Sequence, residues 1–334
     1  MPRVRELEVF RLVLPYGRRP ETLLVRLTDH GGMSGWGELV SPEPKLWSAL
    51  EEGLAAQLIG VDWEHPDQVP GGGSAVDMAL WDLWTRMRGV PLSHALGGAG
   101  TSLMATVRLG LDPSTESMVA RVNQQVCGGY AHVTLDVRPG WDVEPVRAVR
   151  QAYPALSLAV DCGGAYTSPE QLVALDEYGL EVIERPFGID DAYAHADLQD
   201  RVRASVAVEP RSTAELDDYL TLRAAKVLLL RPAALPSLSD ARRAHDRAVA
   251  AGWDIQCAGG QGAGLSRAAA VAVASLPGCT LPCDVTQPPR NAQIVTPAVG
   301  ASGGVVAVPL TQPGLGHTID EERVRRMAKD TFRA

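Results

Sequence analysis

The sequence predicts an α/β fold in which a (β/α) barrel is combined with a smaller α+β domain. Three observations predict it: an N-terminal part with strand-like alternation, a later series of short apolar runs at regular spacing, and charged residues at the ends of those runs. A chain of 334 residues is long enough for one barrel of ordinary size and a partner domain.

The N-terminal part predicts a small antiparallel sheet followed by helices. Apolar and polar residues alternate in Val4–Val13, and the turn residues Gly31 and Gly32 separate two further strand-like segments. Helical patterns follow at 45–59 and 74–88, and Gly89 stands where a helix C-cap is expected. We therefore expect an α+β capping domain over 1–104, joined by the C-terminal segment 300–334, with the strand-like piece Gly303–Pro309 returning to it.

The chain changes its rhythm near residue 105. Eight short apolar runs recur at intervals of about 25 residues, most of them separated by amphipathic helical stretches. They begin at Thr106, His132, Leu156, Leu180, Ala204, Lys226, Trp253 and Thr280. Strands that alternate with helices pair in parallel, and eight such units close a barrel, which we place at 105–299.

Composition and charge exclude several classes of protein. The formal net charge of −9 disfavours binding to nucleic acid, and no apolar run is long enough for a membrane span or a signal peptide, so we expect a cytoplasmic protein. The five cysteines include no CxxC pair. The glycine-rich stretches lack the phosphate-binding spacing, so no nucleotide cofactor is expected.

Charged residues end six of the eight runs, where a strand buried on both faces should be apolar. They are Asp136, Asp161, Glu184, Glu209, Arg231 and Asp284. Their common phase places them at the C-terminal mouth of the barrel, where barrel enzymes carry their chemistry. So many carboxylates need a cation. Either Mg²⁺ supplies it, or Arg231 with Arg185 and Arg211 forms a salt-bridge cluster.

Several motifs resemble one family. They are Gly140–Arg150, Ile183–Pro186, Ala79–Trp84 and Pro313–Gly316. In these residues the chain resembles the muconate-lactonizing branch of the enolase superfamily, with the nearest likeness to N-succinylamino acid racemases and o-succinylbenzoate synthases. The resemblance implies a barrel of the enolase-superfamily type under an α+β capping domain, acting on a small carboxylate.

The resemblance also implies a metal site. The family holds Mg²⁺ with three acidic residues at strand ends, which correspond here to Asp161, Glu184 and Glu209. Two of them match the family's ligands, whereas Glu209 stands where the family usually has aspartate. The metal stabilises the charge that develops on the substrate.

The positions of the family's catalytic lysines differ here. Its Lys-x-Lys on the second barrel strand reads Thr134-Leu135-Asp136, and its sixth-strand lysine is replaced by Arg231. Arginine stays protonated and is a poor general base, so Asp136 is the candidate acid or base and Arg231 an electrostatic anchor. An alternative is that Asp136 and Arg231 form an ion pair across the mouth.

Substrate contacts are predicted at three other residues. Thr134 precedes Asp136 on the same strand, and Arg18 and Arg19 lie in the loop that corresponds to the family's closing segment. Gly262 occupies a loop position where the family has an acidic residue.

Three functional hypotheses remain. The first is a diverged lyase or isomerase, metal-dependent, that acts on a small carboxylate by a rebuilt mechanism. The second is an inactive homologue that binds a ligand or a partner, and the third is ordinary racemase or synthase chemistry. A homo-oligomer is expected by analogy with the fold alone.

Overall fold

The computed structural model describes residues 3–16, 20–42, 47, 53, 55–69, 73–286 and 290–334. Most of the predicted helix 45–59 and the residues Arg18 and Arg19 lie outside this part of the chain. None of the helices in these ranges combines the length and apolar character needed to cross a bilayer.

A four-stranded antiparallel sheet contains the N-terminal strands. Its order is β15-β1-β2-β3, where β1 is Val4–Val13, β2 is Glu21–Asp29, β3 is Ser34–Val40 and β15 is Ala328–Arg333. The helix Gly73–Arg88 packs against β3 so closely that a side chain at Gly37 would collide with the main chain of Ala75. The helices of this region are α1 (Ala55–Leu58), α2 (Gly73–Arg88) and α3 (Leu92–Ala95). The sheet and helices form the predicted α+β capping fold.

Eight parallel strands form the predicted barrel. They are β4 (Ser102–Leu109), β5 (His132–Asp136), β6 (Ser157–Asp161), β7 (Val182–Glu184), β8 (Ser205–Val208), β9 (Val227–Leu230), β10 (Asp254–Cys257) and β11 (Cys283–Asp284). Each pairs with its neighbour in sequence from β4 to β10, and β11 pairs with β4. A parallel bridge between Ala258 and Asp284 closes the ring. The fold class predicted from the eight apolar runs is confirmed.

Helices cover the outside of the ring. They are α4 (Thr115–Cys127), α5 (Val143–Ala152), α6 (Glu170–Val173), α7 (Ala192–Arg201), α8 (Thr213–Leu222), α9 (Leu238–Ala250) and α10 (Leu265–Ala274). Serine or aspartate side chains cap the first turn of several of them, for example Ser212 and Ser237, which each accept a hydrogen bond from a main-chain N–H three residues on. Helix α10 is buried along its whole length, which explains its alanine and valine content.

The C-terminal segment contacts both parts of the fold. Strand β13 (Val305–Ala307) pairs with Ser102–Met104, the first residues of β4 and the last of the segment predicted as the capping domain, so the return of this piece to the first domain stays a prediction. The strand of this segment that joins the capping sheet is β15, which pairs with β1. The same segment contains the short pair β12 (Val295–Thr296) and β14 (Thr318–Ile319), and helix α11 (Glu321–Met327). The capping sheet therefore contains both ends of the described chain.

Candidate functional site

Three neighbouring strands present carboxylates at one level of the barrel mouth. Asp136 of β5 is in register with Asp161 of β6, which is in register with Glu184 of β7. Parallel strands in register bring equivalent side chains side by side. The side chains of Asp161 and Glu184 are only 4% and 6% exposed, whereas that of Asp136 is 37% exposed. Two buried carboxylates therefore adjoin a third that faces solvent.

Arg108 contacts all three of these carboxylates. Its Nε lies 3.1 Å from Oδ1 of Asp136, and its Nη2 donates to Oε2 of Glu184 at 2.8 Å and also contacts Oδ2 of Asp161. Burial lowers the pKa of Arg108, but Glu184, Asp284 and Asp136 more than offset this, so the pKa lies above its ordinary value. The guanidinium is therefore charged and neutralises the centre of the mouth.

Sequence reasoning missed Arg108. The signal was present, because an arginine in the middle of a strand that should be buried on both faces is an exception to an apolar pattern. Arg108 lies in register with Thr134, two residues before the level of the carboxylates, so it does not share the position of the charged strand ends.

Two further arginines complete the network. Arg185, which directly follows β7, donates from Nε to Oδ1 of Asp161 at 3.1 Å and places Nη1 3.3 Å from Oε2 of Glu209. Arg231, directly after β9, has Nη2 3.3 Å from the same oxygen of Glu209. Arg185 adopts a left-handed conformation with φ of 47°, which turns its side chain back over the mouth. Four carboxylates thus contact three arginines.

The predicted ion pair between Asp136 and Arg231 is wrong in its partners. Asp136 contacts Arg108, and Arg231 contacts Glu209. The reason is reach: Arg108 starts on the strand beside that of Asp136, whereas Arg231 starts beside the strand that ends next to Glu209. Burial raises the pKa of Asp136 above its ordinary value, against the lowering effect of Arg108 and Arg185.

Thr134 lies below the carboxylates. It is 2% exposed, and its hydroxyl donates to Oε1 of Glu184 at 3.3 Å and lies 3.4 Å from the hydroxyl of Thr106. It is not among the described residues that line the cavity above. Substrate contact by Thr134, and by Arg18 and Arg19, stays a prediction.

A cavity of about 960 Å³ lies over the network, between the barrel mouth and the capping domain. Residues Leu39–Pro42 and Ser74 of the capping domain form one wall. The barrel contributes four arginines and two carboxylates: Arg108, Arg185, Arg211, Arg231, Asp136 and Asp284. Ligand pockets of small-molecule enzymes have this size and this position on a barrel.

Arg211 differs from the other three arginines. It is exposed, and its guanidinium has no carboxylate partner among the residues that the structure describes. Arg231 also lines the cavity, and its side chain remains 29% exposed although its Nη2 contacts Glu209. The cavity wall therefore has cationic donors available to an anion.

The arrangement at the mouth does not fit Mg²⁺. Both oxygens of Asp161 and both oxygens of Glu184 already accept contacts, from Arg108, Arg185, Thr134 and the main-chain N–H of Gly163. Mg²⁺ requires carboxylate lone pairs in near-octahedral order, and a guanidinium stands between these two. Within the described ranges no three acidic, histidine or cysteine side chains group as a metal ion requires.

Gly262 adjoins a carboxylate that comes from the capping domain. A Cβ at this position would lie 2.5 Å from Oε1 of Glu38, which is fully buried. Glu38 accepts hydrogen bonds from the main-chain N–H groups of Ala263, Gly264 and Ser266 and from the hydroxyl of Thr22. The glycine therefore leaves the space that Glu38 occupies.

Comparisons with known proteins agree with this fold and position of the site. The family model described as "Enolase C-terminal domain-like" matches residues 117–323. The chain is 32% identical to an o-succinylbenzoate synthase of Geobacillus stearothermophilus, over 92% of this chain and 89% of that protein. It is 31% identical to an N-succinylamino acid racemase of Thermus thermophilus, over 92% and 90%.

A solved structure of an enolase-superfamily member from Listeria innocua superposes with a TM-score of 0.91. Its sequence is 26% identical, and the match covers 100% of this chain and 99% of that one. The fold is a barrel with a capping domain, and the barrel mouth contains both carboxylates and arginines. The chain belongs to the enolase superfamily.

Proposed function

We propose that this protein binds a small carboxylate in the cavity through its arginines, without the family's lysine-based proton transfer. The observation that carries this proposal is the cationic wall formed by Arg211 and Arg231. A guanidinium recognises a carboxylate with two parallel N–H donors, and burial between two domains strengthens the contact. The ligand would lie between these arginines and the capping residues Leu39–Pro42.

The relatives support a carboxylate as the ligand class. They are named for o-succinylbenzoate and N-succinylamino acids, which carry carboxylates. Family chemistry depends, by the resemblance, on lysines at positions that are Asp136 and Arg231 here. Arg231 remains protonated, and Asp136 is paired with Arg108. Neither Asp136 nor Arg231 is therefore equivalent to a lysine as a general base. Binding is therefore the better supported part of the inherited function.

The binding proposal is tested by calorimetric titration with o-succinylbenzoate, N-succinylalanine and succinate. We expect at least one of them to bind, and the affinity to fall about tenfold or more in Arg211→Ala or Arg231→Ala, because a hydrogen bond to a charged group contributes about 1.5–3 kcal/mol. Arg147→Ala is the matched control, since Arg147 lies on α5 and pairs with Glu144 away from the cavity. Equal affinities in all four proteins, or no binding of any probe, would contradict the proposal.

A diverged lyase or isomerase is the second candidate. Asp136 favours it, because this carboxylate lines the cavity and burial raises its pKa towards the range of a general base. The discriminating measurement is loss of the α-proton signal of N-succinylalanine in heavy water, followed by proton NMR. Binding without exchange supports the first proposal. Exchange that disappears in Asp136→Asn supports the enzyme.

A further inference from the structure

The side chain of Arg108 reaches the carboxylates from one level below. Its Cα is in register with those of Thr134 and Ala159, two residues before the level of Asp136 and Asp161. Two residues of strand correspond to about 6.6 Å, a distance that an extended arginine spans. Thr134 and Ala159 are small, so they leave room for the long side chain inside the ring. This placement is built into the strand register and needs no movement of a loop.

Arg108 contacts the two buried carboxylates with a single nitrogen. Nη2 donates to Glu184 at 2.8 Å and also contacts Asp161, so it stands between the two side chains that the family resemblance gives as metal ligands. Asp161 also accepts hydrogen bonds from Arg185 and from the main-chain N–H of Gly163, and Glu184 accepts one from the hydroxyl of Thr134. A divalent ion at this point would have to displace a guanidinium and would be repelled by it.

We infer that Arg108 is a built-in cation that takes the place of the divalent metal, so the mouth is assembled without any metal ion. Arg108 and Arg185 supply the positive charge that offsets the burial of the Asp161 and Glu184 carboxylates. The inference concerns the protein without an organic ligand, so it stands or falls separately from the proposed carboxylate binding. Its consequence is that removal of the guanidinium groups of Arg108 and Arg185 should create a metal site.

The test is titration of the chelator-treated full-length protein with MnCl₂ and MgCl₂, read by calorimetry and by the thermal unfolding temperature. The wild-type protein is expected to show no stoichiometric binding and no shift of its unfolding temperature. In Arg108→Ala combined with Arg185→Ala, which frees the oxygens of Asp161 and Glu184 from both guanidinium groups, Mn²⁺ should bind at least tenfold more tightly than in the wild type, and it should raise the unfolding temperature.

Two further variants separate the effect of charge from an effect on structure. Arg108→Lys combined with Arg185→Lys keeps both cations and should remain without metal binding, whereas Glu184→Gln added to the double alanine variant should remove the binding that this variant gained. Stoichiometric metal binding by the wild type that Glu184→Gln abolishes would overturn the inference, and so would a folded double alanine variant that binds no Mn²⁺. If the double alanine variant is unfolded both with and without Mn²⁺, the wild-type titration decides: absence of binding upholds the inference and binding overturns it.

Discussion

Glu38 of the capping domain accepts a hydrogen bond at 2.9 Å from the main-chain nitrogen of Ser266, in the first turn of barrel helix α10. The N-terminus of a helix has unpaired N–H groups and a partial positive charge, so a carboxylate there satisfies both. Helix α10 has no side-chain cap of its own, because Gly264 stands at the N-cap. A residue of one domain thus caps a helix of the other and fixes their relative position beside the cavity.

Replacing Glu38 by Gln should lower the free energy of unfolding by about 2–4 kcal/mol. The amide would direct its NH₂ group at N–H donors that now meet an oxygen, and at least one buried donor would lose its partner. Urea denaturation measures the effect. Glu21→Gln is the control, because Glu21 pairs with Arg11 near the surface and should cost less than about 1 kcal/mol. Equal costs for the two variants would show that the cap does not stabilise the fold.

Asp82 holds the C-terminal segment to the capping helix. It is fully buried and accepts main-chain hydrogen bonds from Trp36 at 2.9 Å and Leu315 at 2.7 Å, and one from Nε of Arg86 at 2.9 Å. Asp82→Ala should cost about 3–5 kcal/mol, since it takes the carboxylate away from Arg86 and leaves two buried main-chain donors without a partner. Chemical unfolding should show only a small change for Asp197→Ala, whose carboxylate pairs with Arg201 at the surface.

Asp77 should make stability depend on pH. Burial raises its pKa to about 7, although the main-chain N–H of Leu238 opposes the shift, and the nearby Asp67 and Asp240 add to it. The unfolded carboxyl has a pKa near 4, so the folded state holds its proton more tightly. The stability that this contributes is complete below about pH 4 and is lost as the pH rises to about 7.

Asp77→Asn keeps an acceptor for Leu238 and removes the charge. We expect the variant to equal the wild type near pH 4 and to exceed its free energy of unfolding by more than about 1 kcal/mol at pH 8. Urea denaturation at the two pH values measures the difference. An identical difference at both values would mean that Asp77 does not titrate between them.

Cys279 should be the most reactive thiol near pH 7. Its sulfur lies 3.8 Å from that of Cys257, and hydrogen bonding from this neighbour lowers the pKa of Cys279, as does His245, against the effect of burial. The thiolate is the nucleophile, so a lower pKa speeds alkylation. Mass spectrometry after brief treatment with iodoacetamide should find Cys279 modified before the exposed Cys127. His245→Ala should slow the reaction at Cys279 alone, and prior modification of Cys127 would contradict the prediction.

The barrel followed from sequence because its signals are local and periodic. Eight apolar runs, six of which end in a charged residue, indicate where the strands lie, in which direction they run and at what level their ends meet. The structure places Asp136, Asp161 and Glu184 side by side, as that spacing requires. The motifs that carry the family resemblance are similarly contiguous. The sequence did not indicate which cation neutralises these carboxylates, because a metal ion and arginine side chains can both do so.

The ion pairs at the barrel mouth depend on how far each side chain extends towards neighbouring strands. Asp136 pairs with Arg108 and Glu209 with Arg185 and Arg231, a pattern set by which strands adjoin and how far each side chain extends. Glu38 reaches helix α10 over more than two hundred residues of sequence, and no spacing indicates such a contact. By itself the sequence determined the strands, their direction and the charged mouth, since hydrophobic period and strand ends are properties of short segments. Only the tertiary structure decided which charges meet, because an ion pair is a matter of distance between side chains that the chain brings together from separate strands.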